Sequence, residues 1–139
     1  MYTLGHPLLS WSIVMWLAVL SRHDLDTRRL PNRLTLIPIV AVLASVVSTP
    51  EVIGAVIVAA LPYLVGRIIG GCGGGDLKLA VVLGALAADP ARAAVLVLAA
   101  VTLTLVGMAV RRCRGRGPDA VAHGPALGLA AVAVLPLAV

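Results

Sequence analysis

Apolar and polar positions fall into long blocks along this chain. Near-continuous runs of Ala, Val, Leu and Ile are separated by short polar segments. A helix needs about 20 apolar residues to cross a hydrocarbon core of roughly 30 Å. Leu4 to Leu20, Val52 to Gly70 and Ala91 to Val110 approach that length. Leu34 to Thr49 and Gly124 to Val139 are shorter and need flanking groups that snorkel to the interface. Leu77 to Ala88 is shorter still and begins inside the glycine-rich stretch GCGGGDLKL, residues 71 to 79. A broken or partial helix is expected there, tolerated only where the loose backbone is buried in protein or lines a wet cavity. The pattern predicts an all-α integral membrane protein with about six transmembrane helices. No internal repeat or long linker divides it, so residues 1–139 form a single membrane-embedded domain.

Composition supports a bilayer as the solvent. The chain is 60% hydrophobic and 12% charged, with mean hydropathy +1.06. A soluble domain carries about 25% charged residues, and one of this length could not bury so much apolar surface. The first apolar run lacks a basic segment before it and a small-residue cleavage site after it, so it reads as a retained span. Cys72 and Cys113 are too few and too far apart for a zinc cluster or a redox pair, and read as reduced thiols. His6, His23 and His123 stand apart from one another, so no metal and no cofactor is expected.

The basic residues set orientation. Arg22, Arg28, Arg29 and Arg33 follow the first run, Arg67 and Lys78 flank the third loop, and Arg111, Arg112, Arg114 and Arg116 follow the fifth run. Only Arg92 lies in an even-numbered loop. The positive-inside rule then places loops 1, 3 and 5 in the cytoplasm and both termini outside. The pI near 10.3 therefore reflects topology. RRCRGRGPDA, residues 111 to 120, is a solvated loop meeting anionic lipid headgroups. It has no interleaved aromatics to stack on bases, which argues against nucleic acid.

Candidate chemistry rests on six acids. Glu51 and Asp89 neighbour Pro50 and Pro90 in the short outer turns, and Asp119 follows Pro118 in a polar loop; all three read as turn residues. Asp24, Asp26 and Asp76 lie close to span ends in loops one and three, on the side given to the cytoplasm. A carboxylate at membrane depth is costly and marks a functional hypothesis. The plainer alternatives are a helix-starting Asp76 and a solvated Asp24 and Asp26 neutralised by nearby Arg. Phosphate loops fit poorly. Lys78 follows Asp-Leu instead of glycine, and neither Gly71 nor Gly73 starts a complete G-x-G-x-x-G.

Two carboxylates brought together hold one proton between them. The ionised member takes a proton from water while the protonated one polarises a scissile carbonyl. Gly73 and Gly75 lack side chains and would let an extended substrate backbone approach. Their plainer role is helix breaking or tight packing.

GGGDLKL resembles the G-x-G-D-x-K-L signature of type IV prepilin peptidases, the bacterial GxGD membrane aspartic proteases. DLDTRRLPNRLT, residues 24 to 35, resembles that family's first aspartate motif, and HGPALGLAAV, residues 123 to 132, its closing segment with His123 in place of the usual Phe. All three occur in order between the expected spans. The resemblance implies an Asp24 and Asp76 dyad. It selects Asp24 over Asp26 because Pro31 stands seven residues beyond Asp24, followed by Asn32. Pro31, Asn32, Gly73, Gly75 and Lys78 are the implied supporting residues. The implied activity is removal of short basic leaders from prepilin or pseudopilin precursors, at the cytoplasmic face of the plasma (inner) membrane. The chain is similar to the minimal Flp-type peptidases, without the zinc-binding methyltransferase domain of many relatives. Two other classes compete: a small channel or transporter with Asp76 and Lys78 lining a polar path, and an inactive peptidase-like scaffold. No oligomeric state is implied.

Overall fold

A computed structural model describes residues 7–27, 32–70, 72–115 and 123–135. Six helices run in chain order, with no strand among the described residues: α1 Pro7–Thr27, α2 Asn32–Ser48, α3 Val52–Ile68, α4 Gly74–Ala87, α5 Pro90–Cys113 and α6 Gly124–Val134. All-helical architecture follows from the solvent, since a spanning segment must satisfy its backbone polar groups internally.

The boundaries differ from the hydropathy blocks at the place that matters most. α1 continues past Leu20 to Thr27, so Asp24 and Asp26 lie on a helix and not in a loop. Hydropathy ends the element at Arg22, but backbone hydrogen bonding does not require apolar side chains. The glycine-rich stretch is likewise less unwound than expected. Gly73 is the extended N-cap, while Gly74 and Gly75 already belong to α4. α5, with 24 residues, is the one described helix both long and apolar enough to cross a membrane unaided. Leu34–Ser48, Val52–Ile68 and Gly124–Val134 are shorter apolar helices.

α4 occupies the centre, packed on α2, α3, α5 and α6, and its pairing with α3 is the most extensive in the bundle. That pairing depends on missing side chains. A Cβ on Gly84 would stand 2.7 Å from the Ala59 Cβ, 2.9 Å from the Ala55 carbonyl oxygen and 3.0 Å from the Val56 Cα. Small residues let helix backbones approach where lipid removes the hydrophobic drive to associate. Around this contact lies a core of Leu17, Leu20, Leu79, Leu83, Leu96 and Leu127, all buried. The outer faces are apolar as well: Leu8, Ile37, Val47, Ile69 and Leu98 are exposed. Such a surface suits lipid and would be an aggregation liability in water.

α1 and α2 are consecutive but hardly pack on each other; α1 lies against α6, and α2 against α4. One hydrogen bond does join them. Pro38 lies inside α2 and has no N–H to offer the Leu34 carbonyl, one turn back. Trp16 Nε1 on α1 donates to that carbonyl instead, at 3.0 Å.

Candidate active site

One end of the bundle brings together Asp24, Tyr63, Asp76, Thr104 and His123. The C-terminal parts of α1, α3 and α5 arrive there, and α4 and α6 begin there. Asp24, on the last turns of α1, is buried at 7% exposure, whereas Asp26 two residues later is exposed. Residues two apart on a helix face different directions. Asp24 turns toward α6, where its Oδ2 accepts from the Gly124 N–H at 3.0 Å. Gly124 opens α6, so its N–H is one of the donors the helix itself leaves unpaired, at the positive end of its dipole. The approach requires glycine: a Cβ there would lie 2.7 Å from Asp24 Oδ2 and 3.1 Å from its Cγ. Pro125 follows, at a first-turn position where a missing N–H costs nothing.

Asp76 stands in the first turn of α4, half-buried. Its Oδ2 accepts from the Gly73 N–H at 3.3 Å. This is half of a capping box, since Gly73 has no side chain to return the bond. The helix-starting role considered for Asp76 is therefore present, one turn inside the helix. Asp24 and Asp76 come from different helices and lie within electrostatic reach of each other and of His123.

His123, the N-cap of α6, bridges two further helices. Its Nδ1 is 2.6 Å from Thr104 Oγ1 on α5, and its Nε2 is 2.8 Å from the Tyr63 hydroxyl on α3. The hydroxyl of Thr104 has one hydrogen, donated to the Ala100 carbonyl at 2.9 Å. The Nδ1–H must therefore donate to Thr104, leaving Nε2 to accept from the Tyr63 O–H. Burial pulls the imidazole below the ordinary histidine range, and the charges of Asp76 and Asp24 oppose that only in part. Tyr63 is itself buried, with Asp76 and Cys72 in electrostatic reach. The Cys72 thiol is pushed up, by burial first and by Asp76 second.

The remaining candidates divide. Gly73 and Gly75 flank Asp76 on the chain, and Lys78 is half-buried on α4. Pro31 lies outside the described residues, and Asn32 is placed only as the first residue of α2. No group of three or more His, Cys, Asp or Glu that could hold a metal occurs among the described residues.

Tyr63, Thr104 and Gly124 were not singled out from the sequence, and His123 was noted only as an isolated histidine and as a departure from a motif. A signal for the first two did exist, because a lone polar side chain inside an apolar span needs a partner. Nothing local, however, says that His123 is the partner of both.

An all-helical bundle with apolar outer faces, carrying Asp24 and Asp76 toward one end, has the character of a helical membrane protein. The comparison with known families narrows it. The model of the type IV leader peptidase family matches residues 11–108, well over half of the chain. This chain belongs to the type IV leader peptidase family. It is therefore a protease of the prepilin-peptidase kind, and family and apolar helices together indicate a membrane protein. The matched segment contains Asp24 and Asp76 and stops before His123. No curated protein and no solved structure matches the chain.

Proposed function

We propose that this protein is an aspartic endopeptidase that removes the short basic leader from type IV prepilin-like precursors of the Flp type. Asp24 and Asp76 act on one water at the cytoplasmic face of the plasma (inner) membrane. The observation that carries this reading is the pairing of acids at one end of the bundle. Asp24 is buried and turned inward while Asp26 is exposed, and Asp24 and Asp76 are within electrostatic reach. In the reaction the ionised carboxylate takes a proton from water as its oxygen bonds to the scissile carbonyl carbon. The protonated carboxylate donates to the carbonyl oxygen. Collapse breaks the C–N bond, and the leaving amine takes up the proton. Gly73 and Gly75 leave room beside Asp76 for an extended leader, and Lys78, Pro31 and Asn32 support the segments that carry the two acids. The ten-to-one distribution of basic residues supports a cytoplasmic location for this end. Membership in a protease family favours this reading over a channel.

Coexpression with a prepilin tests it, with leader removal followed by the shift in precursor mass. Asp24→Asn and Asp76→Asn are expected to abolish processing, and Asp26→Asn to retain it. Full processing by Asp76→Asn sinks the mechanism; exchanged roles for Asp24 and Asp26 sink only the choice between them. Cysteines placed at Arg28 and Arg114 should react with impermeant reagents only from the cytoplasm.

A further inference from the structure

His123 makes two side-chain hydrogen bonds that an apolar ring such as Phe could not make. His123 immediately precedes Gly124, whose N–H meets Asp24, and its ring is held between Tyr63 on α3 and Thr104 on α5. The rings of Tyr63 and His123 also lie against each other, with centroids 5.4 Å apart and planes tilted by 50°. Both hydrogen bonds end on a group held in place by its surroundings. Thr104 is fixed by the Ala100 carbonyl, and buried Tyr63 has no freedom to swing away. The start of α6 is thereby tied to two helices that Asp24 does not otherwise touch through hydrogen bonds.

We infer that His123 is a positioning residue: its neutral ring, bonded to Tyr63 and Thr104, fixes the first turn of α6 so that the Gly124 N–H stays aimed at Asp24. This rests on the proposed dyad and deepens it. Donation from the Tyr63 O–H needs Nε2 unprotonated, and a protonated ring would instead donate to the Tyr63 oxygen and leave its O–H without this acceptor. The groups around the ring are Tyr63 from α3, Asp24 from α1 and Asp76 from α4. α5 contributes the uncharged Thr104, with Arg111 two turns further along that helix. Burial outweighs the two carboxylates, so the ring keeps its acceptor down to a pH below the ordinary histidine value of about 6.5. At lower pH the bond reverses: Nε2–H donates to the Tyr63 oxygen, and the Tyr63 O–H loses its acceptor.

The experiment compares full-length wild type, His123→Phe and His123→Gln in leader removal across pH, with thermal unfolding in the same detergent. His123→Phe should lower kcat about tenfold at unchanged KM. His123→Gln, which keeps a donor and an acceptor, should recover most of that loss. The acid limb of the wild-type profile should be steeper by one proton than that of His123→Gln. The inference is overturned by wild-type kcat in His123→Phe, by equal acid limbs, or by losses in both variants that follow their unfolding temperatures. Asp76→Asn is the control. Processing by that variant would fail the dyad itself, whereas inactive aspartate variants with an unimpaired His123→Phe would fail only the inference.

Discussion

At the Asp24 end, helices α1, α3, α5 and α6 meet through hydrogen bonds between named atoms. Toward the opposite end, α1, α2 and α4 enclose a cavity of about 620 Å³ walled by Ile13, Trp16, Ile37, Ala41, Val82 and Leu86 among others. Both regions lie between helices of similar composition, and they differ in how closely position is specified. A Leu or Val on the cavity wall meets lipid or another Leu with little change in energy, so apolar contact does little to hold α1 on α2, which the Trp16 bond to the Leu34 carbonyl joins. At the polar end, an unmade bond would leave a buried donor or acceptor unsatisfied, at a cost of about 1–3 kcal/mol. Few atoms therefore set the geometry of that end, while at the other the α1–α2 side has room and the α3–α4 side packs closely at Gly84.

The comparison can be broken in order of expected effect. The largest belongs to the acids: loss of either Asp24 or Asp76 should cost at least about 100-fold in leader removal, the range of a lost acid or base. Next is Gly124→Ala, whose new Cβ would sit 2.7 Å from Asp24 Oδ2. Displacing the carboxylate by a fraction of an ångström should lower kcat about tenfold or more. Gly128→Ala on the same helix crowds the Ser21 Oγ, at 2.9 Å, which can rotate, and touches Leu17 at an ordinary 4.0 Å, so it should stay within about twofold of wild type. Equal losses in the two would show that the α6 contact is general packing.

The next effect is on stability. Gly84→Ala pushes a methyl group against backbone atoms of α3 and should cost about 1–3 kcal/mol, read as a lowered unfolding temperature in detergent. Ala41→Leu on the cavity wall should change stability by less than about 0.5 kcal/mol, because the wall has room. A large loss from Ala41→Leu would mean that the cavity is closed in the membrane.

The smallest effect is chemical. Cys72 is half-buried, with its thiol held up by burial and by Asp76, while Cys113 is exposed. A maleimide should label Cys113 several-fold faster near neutral pH. Asp76→Asn should speed Cys72, since removing a negative charge favours the thiolate. An unchanged Cys72 rate in that variant would place Asp76 too far away to act on it.

How much of this was legible beforehand depends on the range of the signal. Six helices and their approximate order follow from apolar runs, because runs of Val, Leu and Ala report the solvent locally. Asp76 was legible for the same reason: it stands beside glycines where a charge has no apolar explanation. The extension of α1 to Thr27 was not, since hydropathy falls at Arg22 while helical hydrogen bonding continues. Trp16 meeting the Leu34 carbonyl could be anticipated only in part. Pro38 announces an unpaired carbonyl, but not which side chain reaches it.

The sequence alone determined the class of solvent, the helical architecture and which acids are candidates, because each depends on residue type and near neighbours. Which acid turns inward, and what holds it, was decided by tertiary structure. Asp24 and Gly124 are 100 residues apart in the chain, and Tyr63 and His123 are 60 apart. Whether such groups meet depends on helix rotation and on how closely backbones approach, which Gly84 and Gly124 permit by lacking a side chain. No local pattern encodes that distance.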